Sequence, residues 1–297
     1  MDIFCLRSTD GGRNFSEPVY LARGDDRHPT VNNPVMMQDK SGRIHLLYCE
    51  NYCVDGRALH RFSDDDGITW SEPEDITYAT RPEYRNVFAF GPGHGICAED
   101  GKLLIPVWMV PKEYNSHPRA HSPSVISVLY SMDNGDSWQM GDILGTTPFT
   151  ICPNETSIAE LPGGGFYLNI RFGASTNYRG HAYSDNGYSD WRDYEPDMSL
   201  IDPCCFGSTA VYHGENGRDI LLFVNCENRE KRTNVTVKGS FDNGRTWPVR
   251  RVIDAERGGY ADIACDERRG NIYVFYEDLF GATDTLATFN YEWLICH

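Results

Sequence analysis

Ser240-Phe241-Asp242-Asn243-Gly244-Arg245-Thr246-Trp247 is one copy of a pattern that returns along this chain, Ser-x-Asp-x-Gly-x-x-aromatic. It recurs as Ser8-Thr9-Asp10-Gly11-Gly12-Arg13-Asn14-Phe15, from Ser63 to Trp70 and from Ser131 to Trp138. A worn copy runs from Tyr183 through Asp185 and Gly187, with its tryptophan displaced to Trp191. Each position has a physical job. The carboxylate accepts N–H groups of its own tight turn, and the glycine supplies the positive φ such a turn needs. The aromatic brings apolar surface to bury against neighbouring sheet.

Copies starting at residues 8, 63, 131, 183 and 240 lie 55, 68, 52 and 57 residues apart. That interval suits one four-stranded propeller blade with its loops. One such turn is an ordinary hairpin signal, and five unrelated turns in a sandwich are the plain alternative. A near-regular series favours the propeller.

These repeats resemble the Asp-boxes of the sialidase (neuraminidase) family, and the resemblance covers nearly the whole chain. Asn33-Pro34-Val35, Gly91-Pro92-Gly93-His94-Gly95, Asn154-Glu155-Thr156, Gly207-Ser208 and Tyr260-Ala261-Asp262 stand in the order and rough spacing of sialidase motifs. Asp-boxes alone also occur in propellers without sialidase activity. The ordered motifs between the boxes are the more specific signal. The implied fold is all-β, a six-bladed sialidase-like β-propeller with Asp-box turns and a first blade incomplete at the N-terminus. Residues 1–297 are expected to form a single domain.

Strand-like runs fit that scheme. Residues 31–79 and 86–148 read as two complete blades, 152–200 and 206–253 as the fourth and fifth, and 259–297 as the last. Residues 1–30 read as the tail of a blade without earlier strands, an open edge that predicts self-association. No stretch shows a 3.6-residue period over eleven positions. The insertion from Pro111 to Pro123, with His117 and His121, reads as a long rim loop with solvated histidines.

Composition narrows the partners. Lys plus Arg number 27 against 43 for Asp plus Glu, a net charge of −16, which argues against nucleic acid or an anionic membrane. An anionic sugar would need a local basic pocket. No run of 18 apolar residues and no signal-peptide pattern is seen, so the expectation is a cytoplasmic protein that spans no membrane. The ten cysteines are scattered, with Cys204 and Cys205 adjacent and Cys49 four residues before Cys53. No CxxC…CxxC pair points to zinc, and buried free thiols are expected. A glycan at the Asn154 sequon would crowd Glu155, which also argues against a glycosylating pathway.

The family resemblance implies a specific chemistry. Sialic acids carry a carboxylate on the anomeric carbon, which would repel a carboxylate nucleophile at close range. Sialidases use tyrosine instead, and a phenol with a pKa near 10 needs a base beside it. Tyr260 stands where the family's nucleophile would be and Glu155 where its base would be. Arg171 and Arg232 match the second and third of the family's three arginines, whose planar charged forks suit a carboxylate. Glu277 resembles the carboxylate that steadies the first arginine.

The pattern breaks at that first arginine, whose Arg-Ile-Pro segment has no counterpart, and at the acid/base Asp, which would fall just ahead of Asp2. Two expectations follow. Either the chain is a fragment or its start is placed downstream of the true one, or else a neighbouring loop substitutes, with Arg23, Asp25, Asp26 or Arg27 as candidates. Gly-x-Ser-x-Gly, P-loop and His-Glu-x-x-His signatures are absent, and no cofactor is expected. The implied activity is retaining release of terminal sialic acid from a glycan. The rivals are a non-catalytic glycan-binding propeller and a related hydrolase acting on another sugar. An interaction scaffold is disfavoured because the matched residues carry chemistry.

Overall fold

Tight Asp-box turns alternate with short apolar strands throughout the computed structural model. It describes residues 1–51, 56–84, 87–114, 121–173, 176–214, 217–278 and 283–296. His117 and Cys53 therefore lie outside the described residues. Two compact units divide the chain, Met1–Ile143 and Leu144–His297.

In the first unit, Asp2–Cys5 and Val19–Arg23 form a two-stranded antiparallel ribbon. The next sheet runs through Val31–Gln38, Ile44–Glu50, Arg57–Ser63 and Glu74–Asp75, with Gly93–His94 added in parallel beside the first of these. A third sheet joins Val87–Phe90, Leu103–Val110, Val125–Ser131 and Gln139–Met140, and Ile96–Cys97 also pairs with Leu103–Val110. Leu103–Val110 is buried along its whole length, as a short unbroken apolar run predicts for a central strand.

The second unit holds three antiparallel meanders. The first is Thr156–Glu160, Phe166–Arg171, Tyr178–Ser184 and Arg192–Ile201. The second is Ser208–Tyr212, Ile220–Cys226, Val235–Ser240 and Val249–Asp254. The third, Ala261–Asp266, Asn271–Asp278 and Thr283–Asn290, leads into the short helix Tyr291–Ile295. Ile220–Cys226 is wholly buried, whereas the edge strand Arg192–Ile201 is largely open and carries Pro196, which only an edge tolerates without losing a ladder bond.

The sequence led us to expect six blades, and the described residues form five. A blade needs a third strand to present buried faces, and the ribbon of Asp2–Cys5 and Val19–Arg23 pairs only with itself. Its aromatics show the consequence: Phe15 of the first box is 51% exposed, while Trp138 of the third box is 2% exposed.

The turns work as the pattern demands. In the second box, Gly67 N–H donates to Ser63 Oγ at 2.8 Å, Thr69 N–H to Asp65 Oδ1 at 2.8 Å and Thr69 Oγ1 to Asp65 Oδ2 at 2.6 Å. Those Thr69 bonds hold the Asp65 carboxyl down at about 2. Gly135 shows why the fifth position cannot carry a side chain, since its φ is +88° and a Cβ would lie 2.8 Å from the His45 ring. The worn box is corrected in detail. Its turn begins at Ser184, one residue is lost, and Asn186 rather than Asp185 accepts the turn's N–H groups, from Tyr188 and Ser189.

Candidate functional site

The second unit's meanders place the site by parity. In an antiparallel meander, the start of the first strand, the end of the second, the start of the third and the end of the fourth share one end of the sheet. Glu155 precedes Thr156, Arg171 ends its strand, and the turn at 202–207 leaves Ile201. Arg232 lies in the loop between Cys226 and Val235, Tyr260 precedes Ala261, and Glu277 lies near the end of Asn271–Asp278. All are therefore at like ends of their sheets.

Local hydrogen bonds fix each one. Arg171 N–H donates to the Glu155 carbonyl at 3.2 Å and Asn154 N–H to the Arg171 carbonyl at 2.9 Å, so these residues face each other across one ladder. Asn154 Oδ1 accepts Glu155 N–H at 2.8 Å. Ser208 Oγ accepts Ile263 N–H at 2.9 Å, joining the second sheet to the third just beyond Tyr260. The neighbouring Gly207 has no room for a Cβ, which would stand 2.5 Å from the Val224 carbonyl oxygen. These are the physical reasons for the Asn154-Glu155-Thr156 and Gly207-Ser208 motifs.

Side chains then converge. Tyr260 Oη donates to Glu155 Oε1 at 2.5 Å. Arg171 Nη1 donates to Tyr260 Oη at 3.2 Å and is ion-paired with Glu155 Oε2. The Arg232 guanidinium carbon lies 5.4 Å from the Tyr260 ring centroid. Phe206, itself buried, packs on the same ring at 5.7 Å. Glu277 is placed differently from its implied role: its Oε2 accepts the Tyr260 N–H at 3.1 Å, and Glu277 N–H donates to the Tyr260 carbonyl at 3.0 Å. It holds the tyrosine's backbone.

Burial and the Glu155 charge push the Tyr260 phenol well above its usual range, with Arg171 opposing. The resting phenol is therefore protonated, in keeping with its role as donor to Glu155. Burial alone would depress Arg171, but Glu155 and Tyr260 hold it above the ordinary guanidinium value. The cluster is a protonated phenol, a carboxylate 92% buried (Glu155 is 8% exposed) and a fixed cation.

The four substitutes considered for the missing groups are placed in the first unit. Arg23 lies over the Tyr20 ring at 3.8 Å, and Asp25 caps its own turn by accepting from Arg27 N–H and His28 N–H. Asp26 and Arg27 belong to the same turn. Rim residue His121 stands edge-on to Trp108, with ring centroids 5.4 Å apart.

Sequence reasoning missed Cys204, whose Sγ accepts from Arg171 Nη2 at 3.4 Å, and Phe206. The adjacent cysteines were visible, but nothing in their spacing pointed to the arginines. A separate groove of about 560 Å³, lined by Val252, Phe289 and Trp293 among others, contains none of these residues. Among the described residues no cluster of three or more His, Cys, Asp or Glu is placed to hold a metal ion. The described residues include no helix long and apolar enough to cross a membrane.

Meanders of this kind are propeller blades, and the class that the fold defines is the sialidase-like β-propeller. Hadza microbial sialidase Hz136 matches 99% of this chain and 60% of its own length, with a TM-score of 0.84 at 23% identity. A leech intramolecular trans-sialidase complexed with 2,7-anhydro-Neu5Ac, prepared by soaking with 3'-sialyllactose, matches 99% of the chain and 64% of its own, with a TM-score of 0.78 at 16% identity.

The family follows from the sequence: the BNR repeat-like domain model matches residues 1–284, and the chain belongs to that sialidase-like family. A sialidase of Micromonospora viridifaciens is 28% identical over 97% of the chain. The chain spans 46% of that relative's length.

Proposed function

We propose that this chain carries the site of an exo-α-sialidase-like glycoside hydrolase that releases terminal sialic acid with retention. The observation that supports it most is the Tyr260–Glu155 hydrogen bond of 2.5 Å, bridged by Arg171. Tyr260 Oη attacks the anomeric carbon while its proton passes to Glu155 Oε1. The bond from that carbon to the leaving-group oxygen breaks, giving a tyrosyl–sugar intermediate and an aglycone oxyanion that takes its proton from solvent water, leaving hydroxide. Water then opens this intermediate, its oxygen bonding to the anomeric carbon and its released proton neutralising that hydroxide, while the proton on Glu155 returns to the phenol.

Arg171 and Arg232 receive the substrate carboxylate, and Arg171 also holds the Glu155 carboxylate in line. The same reading takes residues 1–297 as one functional domain acting on a sialylated glycan or a related carbohydrate. An aryl sialoside tests it directly, because its phenolate leaving group needs little help from an acid. Fluorogenic aryl sialoside should be turned over by the chain and not by Tyr260→Phe.

One observation favours a second reading, a glycan-binding propeller without turnover. The two carboxylates of the cluster are both engaged on Tyr260, Glu155 at its hydroxyl and Glu277 at its N–H, which leaves neither placed to protonate a departing sugar. Binding of a sialoside with no aryl release at any pH would select that reading.

A further inference from the structure

Cys204 hydrogen-bonds to both arginines of the cluster. Its Sγ accepts from Arg171 Nη2 at 3.4 Å and donates to the Phe172 carbonyl at 3.4 Å, while its own carbonyl accepts from Arg232 Nη2 at 3.3 Å. Cys204 makes these contacts with φ +60°, a left-handed conformation that costs a non-glycine residue about 1 kcal/mol.

The surrounding structure imposes that conformation. Asp202 Oδ1 accepts the Cys205 N–H at 2.9 Å, and Arg179 Nη1 donates to the Cys205 carbonyl at 2.8 Å. Arg179 and Asp202, 3.6 Å apart, are both buried. Each has a further buried partner: Arg179 Nε donates to Asn169 Oδ1 at 2.7 Å, and Asn225 Nδ2 donates to Asp202 Oδ2 at 3.1 Å. A buried, fully engaged charge pair thus grips both polar groups of the Cys205 backbone and leaves the preceding residue little freedom.

Resting on the reading of Arg171 and Arg232 as a carboxylate clamp, we propose that Cys204 is a positioning residue that sets the aim of both guanidinium groups, held in place by the Arg179–Asp202 pair. Arg171 Nη1 is tied to Glu155 and Tyr260; without the thiol Nη2 loses its hydrogen bond. Arg232, in a loop, would keep its bond to the Cys204 carbonyl.

Cys204→Gly isolates the thiol, because glycine accepts φ +60° without strain and keeps the carbonyl. Cys204→Ala removes the same thiol but retains the strained backbone, so agreement between the two excludes a backbone effect. Calorimetric titration of the full chain with methyl α-sialoside, and with the methyl ester of the same sugar, provides the readout. Both variants should bind the acid about three- to tenfold more weakly, the loss expected for one ordinary hydrogen bond, with ester binding unchanged. Cys204→Ser should recover part of the loss. If the parent chain binds the acid and both variants match it, the positioning role is overturned. If the parent chain prefers the acid no more than the ester, the carboxylate clamp itself is wrong and the inference falls with it.

Discussion

Tyr260 and Glu155 are 105 positions apart in the chain, yet the phenol donates to the carboxylate at 2.5 Å. Three features achieve this: the ladder contact between Glu155 and Arg171, the Ser208–Ile263 staple between sheets, and Glu277 on the Tyr260 N–H. Tyr260 is held from behind by its backbone and in front by its hydroxyl. Tyr260→Phe keeps the ring against Phe206 and should leave the melting temperature within a degree or two, while aryl sialoside turnover falls by at least about a hundredfold. Equal turnover in parent and variant would remove Tyr260 from the chemistry.

The Arg171–Glu155 pair is largely shielded from water, with side-chain exposures of 13% and 10%. Arg171→Met should therefore leave a buried carboxylate uncompensated and cost about 3 kcal/mol in urea unfolding. Glu155→Gln in the same chain removes the orphaned charge, so the double variant should lose clearly less than the two single losses added together. Strict additivity would mean that the two groups do not depend on each other.

The first unit contains a buried polar chain that the proposed chemistry does not use. His45 Nδ1 lies 3.0 Å from His60 Nε2, and His45 Nε2 lies 3.3 Å from Asp39 Oδ2. Burial, then the His45 and Arg43 charges, lowers His60 to about 3; burial lowers His45 as well, against the pull of Asp39. Both folded-state values are below the unfolded value of about 6.5. Above that pH neither state binds the protons, and stability is flat with respect to these two groups. As pH falls through about 6.5 the unfolded chain takes up protons that the folded chain refuses, so stability declines by as much as about 1.4 kcal/mol per pH unit for each histidine. Urea midpoints between pH 7 and pH 5 should fall for the parent chain and fall less steeply for His60→Gln. Identical slopes would show that this pair does not govern acid sensitivity.

Much of this was legible in the sequence because it depends on local spacing. Box turns need Asp, Gly and a hydroxyl at fixed offsets, so four of the five turns could be read directly, and the position of Glu155, Arg171 and Tyr260 at strand ends followed from motif order. The worn box misleads because one residue is missing between its acceptor and its glycine, so counting back from Gly187 lands on Asp185 instead of Asn186, and either residue fits a turn chemically. The family resemblance implies six blades with the first incomplete, and the intact first box fits that count, but an intact turn says nothing about how many strands flank it. Cys204 and the Arg179–Asp202 pair were invisible for another reason. Their contacts join residues 23 to 33 positions apart through a left-handed turn that no local pattern announces.

Asp242 tests the box itself. It accepts from Thr246 N–H at 2.8 Å, Thr246 Oγ1 at 2.6 Å and Ser240 Oγ at 2.7 Å. The worn box shows that an amide oxygen can serve in this place, since Asn186 accepts the turn's N–H groups there. Asp242→Asn should accordingly cost well under 1 kcal/mol and Asp242→Ala about 1–2 kcal/mol in urea unfolding, the difference being the turn's lost acceptors. Equal losses would mean that the side chain's shape, not its oxygen, holds the turn.

Gly207 carries the most severe expectation. A Cβ there would lie 2.5 Å from the Val224 carbonyl oxygen and 2.8 Å from Asn225 Cβ. Both obstacles belong to a fully buried central strand, Ile220–Cys226, which cannot swing aside as a surface side chain would. Relief has to come from residues 205–208, the segment that includes the Cys205 backbone gripped by Asp202 and Arg179 and the Ser208 hydroxyl that accepts Ile263 N–H. Gly207→Ala should thus lower stability by about 1–3 kcal/mol and also weaken acid binding, because shifting that segment disturbs Cys204 and loosens the staple behind Tyr260. Calorimetry at a temperature where the variant remains folded separates the two effects. A stable variant with parent affinity would show that the segment yields without cost, and a destabilised one with parent affinity would show that the turn and the arginines are mechanically independent.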